Sequence, residues 1–347
     1  MVGGSGAAGA GQPTNTSRYL TMRDGVRIAI DVWLPASHSG RIPTLIRATR
    51  YWRVIGYADP KHPDGALPEA ALVTGAGYAL VLVDVRGSGA SFGSWPSPWS
   101  RAEIADLGQV VDWVVKQPWS NGRVGAYGAS YDGNTAEMLG SLGRAAVRAV
   151  MPISDDFDPY SQNAFPGGIF SQWFVGLWST LDQILDRNDV CAYATLTAGA
   201  PQKCKEVRQF ATGVKPVAGD RGGRLLRAAV KEHGANMNVS ASASKVVFRD
   251  DKFGRTPVDP WSPYTYLPHL TAAVQAWVGW MDAGTVDGTL ARYVGGTGPP
   301  TVVIGPWSHG APPTATRPTH STRRTPRCAG RRGPGNFRRC SPSSTAI

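Results

Sequence analysis

A chain of 347 residues, 42% of them hydrophobic and 12 of them Trp, is long enough to bury a substantial core, as one large domain or two average ones. It holds no run of 18 or more apolar residues, which excludes a helical membrane span; a soluble protein with no membrane partner is expected. The formal charge of +11 is concentrated: residues 311 to 347 carry eight Arg and no Asp, Glu or Lys, and without them the charge is +3, too little for a basic stripe that tracks phosphates.

The first 17 residues, MVGGSGAAGAGQPTNTS, read as a flexible N-terminus. They lack the charged start and apolar stretch of a secretory leader, so a cytoplasmic location is expected. From Tyr19 to Leu34 two short strands flank an Arg-Asp-Gly turn. Segments 43–53 and 78–89 each set a β-rich run before a polar or Gly-rich loop, as buried parallel strands do. Over 101–117, Ile104, Leu107, Val110, Val111 and Val114 recur on one helical face. A strand (RVGAYGAS), a helix beginning at Ser130 (YDGNTAEMLGSLG) and a strand over 146–154 follow. This alternation predicts an α/β fold, a mostly parallel sheet with helices on both faces.

The rhythm breaks over 155–268, where GGIFSQWFVGLWSTLDQIL and GGRLLRAAVKEH have a helical period between polar loops; an inserted helical cap is expected there. The alternation resumes with a strand, a Gly turn and a helix over 272–293, then a strand and its loop over 301–310, so the α/β part comprises 18–154 and 269–310. Beyond it, residues 311–347 are almost devoid of apolar side chains and cannot offset their own ordering entropy, which predicts a disordered tail. Of the four Cys none lies in a Cys-x-x-Cys pair or beside His at zinc spacing, so no metal site is expected. Cys191 and Cys204 could pair in an exported protein; without a leader, two free thiols are expected.

The stretch GRVGAYGASYDG carries the chemistry. A serine hydroxyl becomes a useful nucleophile only when held exposed, near a base, and beside oxyanion donors, and a sharp strand-to-helix turn supplies these conditions. Gly128 and Gly133 permit the close backbone approach that such a turn at Ser130 needs, and the Tyr131 N–H would aim at the oxyanion from the helix start. The competing reading is a serine that caps the helix. In α/β hydrolases an acid and then a histidine follow the serine, each on a loop after a strand. His309, in VVIGPWSHG, is the one His of six that follows a late apolar strand; Asp282 ends AWVGWMD before a Gly turn, with a helix-capping Asp as the alternative account and Asp287 as the second candidate acid.

At this point the chain resembles the cocaine-esterase-like (CocE/NonD) serine hydrolases, relatives of X-prolyl dipeptidyl-peptidases and α-amino-acid ester hydrolases. The likeness spans 18–310 through RDGVRIAIDVWLP, TRYWR, DVRGSGASFG, QPWSNGRVGAYGASYDG, VGWMDAG and IGPWSHG, in that order. It implies an α/β-hydrolase-like fold, Ser130 as nucleophile, His309 as base, Asp282 as its orienting acid, and an oxyanion hole from the Tyr131 N–H and the Tyr51 hydroxyl. It implies an acyl-enzyme route on an ester or amide, acyl, aminoacyl or X-Pro dipeptidyl, with no metal or organic cofactor. The cap would build an acyl pocket from Phe170, Trp173, Phe174 and Trp178, joined by Trp280 and Trp307. Asp84 and Arg86 read as structural polar residues at a turn, and Asp155, Asp156 and Asp158 as solvated loop acids that would otherwise greet a substrate amino group.

The family continues past its histidine into a β-rich jelly-roll domain. Here the sequence turns abruptly to Arg, Pro, Thr, Ser and Gly after Gly310, as a GC-rich gene read in a shifted frame would give, so a truncated, impaired hydrolase is the rival reading. A minor one makes the Arg-rich tail a nucleic-acid arm. The small-molecule substrate remains the expected partner.

Overall fold

The computed structural model describes residues 12–58, 65–253, 256–257, 269–282, 284–295 and 301–309, and the expected tail at 311–347 lies outside them. In chain order the strands are β1 (Thr14–Thr21), β2 (Arg27–Leu34), β3 (Ile42–Thr49), β4 (Ile55–Tyr57), β5 (Ala79–Asp84), β6 (Ser120–Ala129), β7 (Val147–Ile153), β8 (Ala211–Val214), β9 (Lys252–Phe253), β10 (Thr256–Pro257), β11 (Ala273–Gly279) and β12 (Thr301–Gly305). The helices are α1 (Leu67–Gly75), α2 (Arg101–Val114), α3 (Tyr131–Gly140), α4 (Gln172–Asp186), α5 (Val190–Ala198), α6 (Cys204–Phe210), α7 (Arg224–Glu232), α8 (Val239–Ala243) and α9 (Thr285–Gly295).

Eight strands form one sheet in the order β1-β2-β5-β3-β6-β7-β11-β12. The hairpin β1/β2 and the pair β2/β5 are antiparallel, and every pairing from β5 to β12 is parallel. β1 begins at Thr14, so residues 14–17 of the expected flexible N-terminus are strand; their polar side chains suit an edge, where one face stays in water.

β5 shows why the parallel part is buried. Val81 and Val83 pack with the α2 face of Ile104, Leu107, Val110, Val111 and Val114, while Leu80 and Leu82 pack with Ala70 and Val73 of α1 and with Trp33. Each such side chain removed from water contributes roughly 1.5–3 kcal/mol, so this double-sided strand needs apolar residues at every position rather than alternate ones. α2 starts where Ser100 accepts the Glu103 N–H, an N-cap bond at 3.3 Å.

Arginines knit the sheet's carboxyl edge. Arg53 bonds Asp31 of β2 and Asp84 of β5, each at 2.7 Å. Asp84 also accepts the backbone N–H groups of Arg53 and Ala90, and Arg86 bonds Asp106 at 2.7 Å, so DVRGSGASFG braces a turn. Arg50, past the end of β3, bonds Asp182 and Asp186 of α4 and lies 4.0 Å over the Trp95 ring. The segment between β7 and β11 is thereby fastened to the sheet. It is not purely helical, since β8 pairs antiparallel with β4.

Cys191 and Cys204 are joined in a disulfide, with Cα atoms 5.1 Å apart, contrary to the expected free thiols. The left-handed turn at Gly199 ends α5 and lets the chain return to the start of α6 beside it. Among the described residues no helix is long and apolar enough to cross a membrane.

Candidate active site

Ser130 sits between β6 and α3 with φ 59° and ψ −127°, a conformation that costs a non-glycine residue of order 1–3 kcal/mol and persists only where its surroundings enforce it. Two contacts do so. The Ser130 N–H donates to the Ile153 carbonyl of β7 at 2.8 Å, and Gly128 lets the turn close, because a Cβ there would overlap the Asp132 backbone and Cβ. The Ser130 side chain makes no capping hydrogen bond, so the helix-cap reading fails and the hydroxyl stays free for other work. Gly128→Ala should therefore open the elbow, costing about 3 kcal/mol, the upper end for overpacking, with nearly all turnover lost; urea unfolding and ester hydrolysis measure the two effects.

Asp282 and His309 come from the loops after β11 and β12, at the carboxyl end of the sheet where α/β folds gather their sites. His309 Nδ1 lies 2.9 and 3.1 Å from the two Asp282 carboxylate oxygens. A carboxylate can only accept, so Nδ1 carries a proton, and in the neutral ring Nε2 keeps its lone pair. The loops are also tied to each other: Trp280 N–H donates to the Gly305 carbonyl at 2.9 Å and Met281 N–H to the Trp307 carbonyl at 3.2 Å.

The Asp282 bond raises the His309 pKa from its ordinary 6.5, more than burial lowers it. Burial pushes Asp282 upward, but hydrogen bonds from His309 and Ser154 outweigh it and hold that carboxyl below its usual range. A protonated imidazole cannot accept a proton, so a raised pKa moves the acid limb of kcat/KM to higher pH. That limb should have its midpoint above 6.5 and shift to lower pH in Asp282→Asn; a wild-type midpoint at or below 6.5 in the pH profile would contradict the pairing.

Ser130, His309, Tyr51, Tyr131 and Asp156 line one cavity of about 620 Å³. Tyr51 accepts the Trp178 indole N–H at 2.8 Å, which leaves its own hydroxyl proton to donate; burial raises its pKa and keeps that proton in place. Tyr131 is the first residue of α3, whose N–H finds no acceptor within a helix. Among the aromatics expected in the pocket, Phe174 and Trp178 line this cavity. The others are elsewhere. Trp173 precedes Phe174 on α4 and is turned outward, 79% exposed; Trp280 is 64% exposed. Phe170 packs on Phe165 and on the main core. Trp307 stacks on Trp277, fitting against Gly305, where a Cβ would overlap its ring. Single aromatics in a sequence carry no sign of which way they face.

The three acids after β7 are buried, against the expectation of solvated loop residues. Asp155 pairs with Arg292 and Asp158 with Arg249, both at 2.6 Å. Asp156 faces the cavity, where burial pushes its carboxyl up to about 6 against the attraction of His309. Their position directly after a parallel strand was the available signal.

The mostly parallel sheet and the sharp turn after β6 define an α/β-hydrolase fold. The chain belongs to the X-Pro dipeptidyl-peptidase (S15) family, whose model matches residues 24–311. It is 36% identical over 330 residues to a provisionally named serine esterase of Mycobacterium bovis, covering 85% of this chain and 51% of that one. It is 27% identical over 300 residues to a cocaine esterase of Rhodococcus, covering 84% and 48%. A solved CocE/NonD family hydrolase from Staphylococcus aureus is similar in fold, with TM-score 0.56, 20% identity, and 84% and 45% of the two chains covered. The chain thus spans about half the length of these two relatives.

Proposed function

We propose that the protein is a serine hydrolase that cleaves an ester or amide through an acyl-enzyme. Ser130 attacks the carbonyl and passes its proton to His309 Nε2; the tetrahedral oxyanion is held by the Tyr131 N–H and the Tyr51 hydroxyl; the leaving group takes the proton, and water repeats the sequence on the acyl-enzyme. Asp282 keeps His309 in the tautomer this requires. The observation that carries the reading is the single cavity shared by a strained, uncapped serine and a histidine whose Nδ1 is occupied by a carboxylate. Phenol and amide donors suit an oxyanion because both are directed and neutral.

The cavity wall is apolar and aromatic, with Trp99, Phe174, Leu181 and Leu185 among its residues, which favours a bulky apolar acyl group. The β7–β11 segment acts as the cap that builds this wall. A second reading, an aminoacyl or X-Pro dipeptidyl substrate, is favoured by the Asp156 carboxylate in the same cavity. Assays with p-nitrophenyl esters of butyrate and benzoate beside amino-acid and X-Pro p-nitroanilides separate the two. Turnover of the uncharged esters, unaltered in Asp156→Asn, supports the first; turnover confined to substrates with a free amine, lost in that variant, supports the second.

A further inference from the structure

Glu103 is a buried acid that the proposed chemistry does not use. It stands in the first turn of α2, three residues after the N-cap Ser100, where a glutamate commonly reaches back to the cap's own N–H. Here the carboxyl group turns into the core. It accepts the Tyr131 hydroxyl at 2.5 Å and the Trp95 indole N–H at 3.0 Å, is 0% exposed, and has no salt-bridge partner among the described residues. Burying a carboxyl without a paired cation is costly, and burial pushes this one up to about 8 against the two hydrogen bonds and the attraction of the Arg50 charge. Its bonds converge on Tyr131, the residue that follows the serine.

Tyr131 has little freedom left. Its ring stacks on Trp99 with centroids 4.8 Å apart and meets Tyr51 edge-on at 5.9 Å, and its hydroxyl also accepts from Trp95 at 3.1 Å. Tyr51 and Tyr131 are the two proposed oxyanion donors, so one aromatic cluster sets both, with Glu103 as the acceptor at its base. We infer that Glu103 is a positioning residue of the active centre: by holding the Tyr131 phenol it fixes the seat of the backbone N–H beside Ser130. The inference rests on the hydrolase reading above. A helix start displaced by a fraction of an ångström would bind the ground-state ester as before and lose the oxyanion, whose charge appears only in the transition state.

The test uses the full chain, with active sites counted by end-point fluorophosphonate titration so that turnover is expressed per competent site. Glu103→Leu should lower kcat per site by about 10- to 100-fold with KM within about twofold, since loss of a whole oxyanion donor costs 10²–10³. Affinity for an alkyl boronic acid, a tetrahedral analogue, should fall in step with kcat. Tyr131→Phe breaks the same bond from the other side while keeping the ring, and serves if Glu103→Leu does not fold; it should show the same split, and adding Glu103→Gln to it should change kcat little further. If the wild type titrates and the variants keep kcat per site within twofold, with only the number of sites reduced, Glu103 is merely structural and the inference is overturned. A folded wild type with no titratable sites overturns the hydrolase reading and the inference with it.

Discussion

Ser130→Ala and His309→Ala should each lower ester turnover by roughly a million-fold, and Asp282→Asn by roughly ten-thousand-fold, as members of a triad do when the oxyanion site and the cavity survive. The single losses should not add. Without the serine there is nothing for the histidine to deprotonate, so Ser130→Ala with His309→Ala should be no slower than either alone. The smaller effect expected for Asp282 follows from its proposed place behind the base: it hydrogen-bonds His309 Nδ1 and would hold the ring's tautomer and orientation without touching a reacting atom. Steady-state hydrolysis of p-nitrophenyl butyrate, corrected for the uncatalysed rate, gives these ratios. A wild-type rate unchanged by Ser130→Ala would move the chemistry to another residue.

Arg53→Ala carries the largest expected cost in stability. The guanidinium is the partner of both Asp31 and Asp84, with no solvent at any of the three side chains, and its removal leaves the carboxylates facing each other across β2 and β5. Lys215, 3.3 Å from Asp31, compensates one of them in part. Breaking a buried pair in this way costs about 3–5 kcal/mol, a large share of the 5–15 kcal/mol that typically holds a domain together. The variant should therefore unfold at a markedly lower urea concentration or be lost to aggregation. Because Arg53 is three residues past Arg50 and two past Tyr51, the damage should reach the cavity before global unfolding, visible as ester turnover lost ahead of the main transition. An unfolding free energy within about 0.5 kcal/mol of wild type would mean that the cluster contributes little net energy.

Much of this architecture is written in local patterns. The apolar face of α2, the strands that run into Gly-rich loops and the turn at Ser130 follow from periodicity and turn chemistry, which act over a few residues, whereas Asp282 and His309 were singled out by the order of residues that α/β hydrolases share. What was not legible depends on partners distant in sequence. Arg50, Arg53 and Arg292 look like surface residues in any pattern, yet each is buried because carboxylates far along the chain meet it. One clue existed: Asp182 and Asp186 are four residues apart and so share a face of α4, the face that meets Arg50. Glu103 was readable as a helix-start residue but not as the acceptor for Tyr131, 28 residues on. Trp173 and Phe174 are adjacent on one helix, one turned to solvent and the other to the cavity, a difference that only the packing of α4 decides.

The most direct measurement is fluorophosphonate labelling of the purified full chain, with the modified residue located by peptide mass analysis. Stoichiometric labelling at Ser130 is expected, abolished in Ser130→Ala and strongly slowed in His309→Ala. A folded wild type that does not react, or one that reacts equally after Ser130→Ala, would contradict it, leaving a chain that keeps the elbow and the Asp282–His309 pair without the activity they are arranged to support.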